Sequence, residues 1–103
     1  MVEIRQTETY LRWFRTLRDR QAKARINVRI RRLSMGNPGD VKPVGKGVSE
    51  LRINYGPGYR IYFIQRGEDL VILLAGGDKN TQGQDIRTAL ELVQDLERLL
   101  WTP

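Results

Sequence analysis

Residues 47–63 read GVSELRINYGPGYRIYF. Two alternating runs, Val48 to Tyr55 and Tyr59 to Gln65, flank Gly56-Pro57-Gly58. A turn signal of this kind between such runs predicts a hairpin. If the runs pair, Leu51, Ile53, Ile61 and Phe63 share one side of the sheet, and Glu50, Arg52, Arg60 and Tyr62 project from the other. The first side reads as core. The second is polar and brings two arginines together.

Working outward, Arg66 to Asp69 reads as a second tight turn, and Leu70 to Ala75 is apolar on both faces, as in a strand covered on both sides or shielded by a long loop. That run ends in Gly76, Gly77, Asp78, Lys79 and Asn80. The glycines read as a rim where backbone can approach a partner closely, delivering Lys79 to the polar sheet face. Asp85 to Leu100 keeps helical spacing through Ile86, Ala89, Leu90, Val93 and Leu100.

Upstream, Val2 to Arg5 alternates like a short edge strand, and Thr7 suits the N-cap of a helix from about Glu8 to Arg18. A second helix is predicted from the spacing of Ala22, Ile26, Ile30 and Leu33, with Gly36 as its stop. Asn37 to Gly47, with Pro, Gly and Asp, reads as a loop carrying Lys42 and Lys46. Trp13 and Trp101 read as packing or partner-contact residues. The whole, residues 1–103, is expected to be one α+β domain. A small antiparallel sheet, made of an N-terminal edge strand and a three-strand meander, packs with an N-terminal helical hairpin and a C-terminal helix on one sheet face.

Composition narrows the chemistry. The chain has 103 residues with neither cysteine nor histidine, which excludes a disulfide framework, a zinc ribbon, a thiol nucleophile and an imidazole base. The acids Glu50, Asp78 and Asp85 lack metal-ligand spacing, so neither metal nor cofactor is expected. The formal charge is +6, unevenly spread: residues 1–35 hold ten Lys or Arg against three acids, and residues 81–103 hold two against four. A basic front of this kind suits a polyanionic partner such as nucleic acid or a ribonucleoprotein surface. No apolar run approaches the ~18 residues of a membrane span. The first 20 residues carry arginines and acids where a secretory signal has an apolar core, so a cytoplasmic location is expected.

Arg52, Arg60, Tyr62 and Lys79 are thereby expected around one concave cationic patch. Arginines grip phosphates, and a tyrosine can stack on an unpaired base. Cutting RNA through its 2′-hydroxyl needs a proton acceptor, stabilisation of a charged phosphorane and help for the leaving oxygen. Arg52 and Arg60 suit the second need. Lys79 suits charge stabilisation or proton transfer, and Tyr62, Glu50 or Asp78 can carry a proton.

The order of elements, with the segments GVSELRINYGPGYRIYF and LLAGGDKNTQGQDIRTALEL, resembles the RelE/ParE toxin superfamily of bacterial toxin–antitoxin modules. It is most similar to the phage-derived, HigB-like addiction module killer protein branch. That resemblance implies a ribosome-dependent mRNA endoribonuclease held in check by an antitoxin. By position, Arg52 and Arg60 match family basic residues, and Lys79 falls where the fourth strand of the family supplies another active-site group. In the nuclease reading Lys42, Lys46 and the helical arginines Arg25, Arg29 and Arg32 are expected to bind ribosomal RNA, with Glu50 and Asp78 completing the expected RNA-contacting set. The partners implied are a helix-turn-helix, HigA-like antitoxin, the ribosome and mRNA, with operator DNA reached only through the antitoxin. The chain departs from the family pattern in having no histidine, and its tail, RLLWTP, lacks the RelE-type C-terminal tyrosine. A ParE-like inhibitor of DNA gyrase, or an antitoxin-binding relic without activity, stays open beside the nuclease.

Overall fold

The computed structural model describes residues 2–101, with side chains described as far as Glu97; the Trp101 side chain lies outside them. In chain order the elements are β1 (Glu3–Gln6), α1 (Glu8–Thr16), α2 (Arg20–Ser34), β2 (Val41–Gly45), β3 (Val48–Ile53), β4 (Tyr59–Arg66), β5 (Leu70–Gly77), a 3₁₀ turn (Lys79–Thr81) and α3 (Gln82–Trp101). The fold is α+β, as the sequence predicts, with a five-stranded sheet in the order β1-β5-β4-β3-β2.

Local chemistry sets the helix starts. The Thr7 hydroxyl oxygen accepts from the Tyr10 amide at 3.0 Å and donates to the Leu74 carbonyl at 2.6 Å, so one side chain caps α1 and ties it to β5. Asp19 caps α2 by accepting from the Gln21 and Ala22 amides. The β3–β4 hairpin folds as its turn predicts, with Glu50 opposite Tyr62, Leu51 opposite Ile61 and Arg52 opposite Arg60.

Three features differ from the sequence reading. First, β1 runs parallel to β5, making the sheet mixed. Second, the segment read as a loop before Gly47 contains β2, an edge strand paired to β3. Pro43 is tolerated there because an edge strand leaves one row of N–H groups unused, and the pairing is irregular between Pro43 and Gly45. Lys46 and Gly47, both with positive φ, close this hairpin as a two-residue turn.

Third, the helices occupy both faces. Leu51, Ile53, Ile61, Phe63, Val71 and Leu73 pack with Tyr10, Ile26, Ile30 and Leu33 of α1 and α2. On the opposite face Tyr62, Ile64, Leu74 and Ala75 pack with Ala89 and Val93 of α3. This explains why β5 is apolar on both sides.

The paired glycines follow from the same layering. Gly76 and Gly77 are the last residues of β5 and both are buried, so they are not the open rim that the sequence suggests. A Cβ on Gly76 would lie 2.2 Å from the Trp13 ring, and one on Gly77 would lie 1.7 Å from the Asp85 carboxylate. Each glycine leaves room for a side chain from the layer above or below.

Gly76→Ala is therefore expected to lose about 1–3 kcal/mol by overpacking. In a Trp13→Ala background the same change should cost little, which a double-mutant cycle of urea unfolding measures. Equal costs in both backgrounds would contradict the packing. Asp85 offers a pH test. Burial pushes its carboxyl above the ordinary value of 3.8, against the pull of the Thr81 hydroxyl donating to it. The native state thus holds that proton more tightly than the unfolded chain. Wild type should lose stability relative to Asp85→Asn as pH rises from 3.8 through the raised value, read from unfolding midpoints across pH.

Candidate functional site

The row of the sheet that pairs Arg52 with Arg60 and Arg60 with Gly77 lies just past the start of α3. The neighbouring row, Glu50, Tyr62 and Ala75, is sealed beneath that helix. Arg52 and Arg60 are therefore only half-buried and line a cavity of about 380 Å³ with Asp40, Asn54, Gly58 and Lys79.

Arg52 Nη2 reaches Asp40 Oδ1 at 3.1 Å, and the Arg52 amide donates to the Asp40 carbonyl at 3.0 Å. Arg60 has no ion pair among the described residues. The Nε atoms of both arginines are buried without a hydrogen-bond partner. Like charges placed directly opposite across two strands destabilise a sheet, and an unpaired cationic N–H costs more when desolvated. An anion held between the two guanidinium groups offsets the like-charge repulsion through their Nη groups, whereas the Nε–H groups have almost no accessible surface.

Lys79 is exposed at the rim. Its amide donates to the Pro57 carbonyl at 3.4 Å, and its side chain lies beside Gly58, whose φ of +78° shapes the hairpin turn. Asp78 holds this position from the other side. Its Oδ1 accepts from the Asn80 amide at 2.8 Å and the Thr81 amide at 3.3 Å, while Thr81 Oγ1 accepts from the Asp78 amide at 3.2 Å.

Residues 12–99 match the family described as Phage derived protein Gp49-like (DUF891). The chain belongs to this Gp49-like family. The family is associated with the toxins of toxin–antitoxin modules, which imply an antitoxin partner in general. An uncharacterized protein of Haemophilus influenzae is 50% identical to this Gp49-like chain over 95 residues, covering 92% of the chain and 96% of the relative. No solved structure matches it.

The Gp49-like chain gathers three of the four expected central residues, Arg52, Arg60 and Lys79, and withholds the fourth. Tyr62 is fully buried, and its hydroxyl donates to Glu50 Oε2 at 3.1 Å. Burial first, and then the Glu50 charge, push the phenol well above its ordinary value. Tyr62 is thus neither a stacking platform nor a proton carrier. Glu50, 1% exposed, also accepts from Gln82 Nε2 at 2.7 Å and is an internal anchor rather than an RNA contact. Asp78 is turned to its own cap and does not line the cavity.

Among the outlying cations, Lys42 is exposed opposite Glu50 on β2, one row from Arg52. Lys46 lies at the hairpin tip beyond Val48, a residue about 13 Å from Arg52 at roughly 3.3 Å per residue. Arg29 is a clamp: Nη1 donates to the Arg52 carbonyl at 2.6 Å, and Nη2 to the Pro38 and Asp40 carbonyls at 3.1 and 3.4 Å. Burial draws its pKa below the ordinary arginine value, and an arginine stays charged regardless. Arg25 and Arg32 are exposed on α2.

Sequence reasoning missed Asp40, Asn54 and Gln82. Asp40 sits in a stretch read as loop, and Asn54 and Gln82 fall where an element ends or starts. Among the described residues no three His, Cys, Asp or Glu side chains gather as metal ligands, and no helix is long and apolar enough to cross a membrane.

Removing the Glu50 carboxylate leaves the Tyr62 hydroxyl and the Gln82 amide unpaired under α3. Glu50→Ala is expected to cost about 1–3 kcal/mol beyond its packing loss, and Glu50→Gln distinctly less because its carbonyl oxygen still accepts. Chemical denaturation separates the two, and an Ala variant as stable as wild type would contradict the buried network.

Proposed function

We propose that this chain is the toxin of a toxin–antitoxin module and acts as a ribosome-dependent mRNA endoribonuclease. The supporting observation is the Arg52–Arg60 pair, two guanidinium groups opposite each other on the wall of one cavity, with Arg60 in no ion pair among the described residues. A scissile phosphodiester is an anion whose two non-bridging oxygens can be shared between the two guanidinium groups, and its charge grows as the phosphorane forms.

In this reading the 2′-oxygen attacks the adjacent phosphorus and the bond to the 5′-oxygen breaks. Arg60 and Arg52 carry the developing charge. Asp40, the carboxylate lining the cavity, is the acceptor at hand for the 2′-hydroxyl proton, and Lys79 supplies charge or a proton to the leaving oxygen. The ribosome contributes positioning, which can stand in for an ideally tuned base. A helix-turn-helix antitoxin covers the cationic face, silences the enzyme and carries the pair to operator DNA.

A second reading is favoured by one observation. With no histidine in the chain and Tyr62 buried, the cavity offers arginine, lysine and one aspartate paired to Arg52. That set binds anions more readily than it moves protons, as suits a ParE-like gyrase inhibitor or an inactive antitoxin-binding relic.

Primer extension on a defined mRNA in a reconstituted translation system decides between them. Cuts are expected only with ribosomes present. Arg60→Ala should slow them about 10²–10³-fold, as for loss of one charge-stabilising donor, and Lys79→Ala should also weaken them, both with wild-type circular dichroism. Uncut message under continuing translation would overturn the nuclease. Gyrase inhibition in a supercoiling assay would then support the second reading.

A further inference from the structure

A second depression, of about 460 Å³, runs along α2 and is lined by Gln21, Arg25, Val28, Arg32, Ile53 and Asn54 among others. Ile53 and Asn54 also line the Arg52–Arg60 cavity. The two hollows therefore share the C-terminal end of β3, the first on the α2 side of the sheet and the second on the α3 side, with Asn54 at the strand end between them. Arg29 sits at this junction, its guanidinium spent on the carbonyls of Arg52, Pro38 and Asp40, so it shapes the passage and leaves the outward charge to Arg25 and Arg32.

No carboxylate lines the α2 hollow. Arg25 stands over the Tyr55 ring at 4.6 Å, and the Tyr55 hydroxyl donates to Asp19 Oδ2 at 2.8 Å, which fixes the platform beneath the guanidinium. Val28, 48% exposed, gives the hollow an apolar floor. The exposed Asn54 amide at the junction offers both a donor and an acceptor. Cations for phosphates, a planar guanidinium for a base, an apolar surface for a sugar or base and an amide for a base edge are what a single strand of RNA uses.

We propose that one single-stranded RNA segment occupies both hollows, with one phosphate between Arg52 and Arg60 and the flanking nucleotides passing Asn54 onto Arg25 and Arg32. The proposal rests on the reading that the cavity takes an RNA phosphate and adds the path of the strand. Charge complementarity and continuity with the cavity favour RNA over an acidic peptide. A peptide needs no connection to the Arg52–Arg60 end, whereas a strand with one charge per nucleotide uses the whole length.

The test is fluorescence anisotropy on the purified chain with two labelled, 2′-O-methylated RNAs, one a trinucleotide and one of about 10 nucleotides, each across a salt series. Arg25→Gln with Arg32→Gln should weaken the longer RNA about tenfold and reduce the slope of log Kd against log salt by about 1.4, two contacts at ~0.7 each. The trinucleotide should be unaffected, and lysine at both positions should restore the slope. Arg60→Ala should weaken both RNAs. If the double variant binds the longer RNA like wild type while Arg60→Ala still weakens both, the strand path is wrong and the cavity reading stands. If neither variant changes either RNA, the cavity reading fails as well. If the double variant loses binding to an acidic peptide and keeps its RNA affinity and slope, the groove belongs to a protein partner and the proposal is overturned.

Discussion

Arg52 and Arg60 face each other across β3 and β4, and two guanidinium groups so placed cannot both be covered by an apolar layer. Taking them out of water without an anion costs several kcal/mol per ion. The centre of the α3-side face, from Tyr62 to Ile64 and Leu74, is covered by that helix, so the arginine row marks where the covering stops along β4. Gln82 begins α3 and bonds to Glu50 in the adjacent row. Lys79 and its capped turn occupy the step between helix and strand. The cavity is thus a consequence of charge: α3 covers the row where Glu50 bonds Tyr62 and Gln82, although one Glu50 oxygen has no partner there, and the sheet opens at the row that carries two guanidinium groups.

The sequence reading of the hairpin reached the decisive register. Period-two alternation about Gly56-Pro57-Gly58 is enough to place Arg52 beside Arg60 with Leu51 and Ile61 behind them, because a one-residue slip would turn the whole apolar set outward. The same alternation could not reveal that Glu50 and Tyr62 are covered. A buried Tyr–Glu–Gln network and a solvated polar face write the same pattern, and only the placement of α3 distinguishes them. The gap at Gly76 and Gly77 had the same cause. Two glycines after an apolar run read as a rim open to a partner, but here they remain in β5, and the side chains that need the space, Trp13 and Asp85, are distant in sequence.

β2 was hidden for a different reason. Pro43 and the surrounding glycines are breakers within a sheet, but on an edge strand they are tolerated and discourage further pairing. Once β2 is present, Asp40 is delivered to Arg52, and Arg29 crosses from α2 to fasten the start of the strand to β3. The basic helix therefore divides its labour. Arg29 is consumed inside the fold, while Arg25 and Arg32 stay on the surface, a distinction invisible in a row of like residues at helical spacing.

The position of Lys79 illustrates how a small domain holds an exposed charge in place. Its backbone is tied to the hairpin through the Pro57 carbonyl, to its own turn through the reciprocal Asp78–Thr81 cap, and to the sheet through Gln82 and the buried Glu50 carboxylate. None of these groups carries the charge that reaches the cavity. Glu50 and Tyr62, which the alternation suggested as direct participants, instead anchor the helix that begins at the cavity edge. Burying a carboxylate beneath the helix start costs desolvation at one point, where one of its oxygens has no partner, and in return fixes the rim from which Lys79 projects.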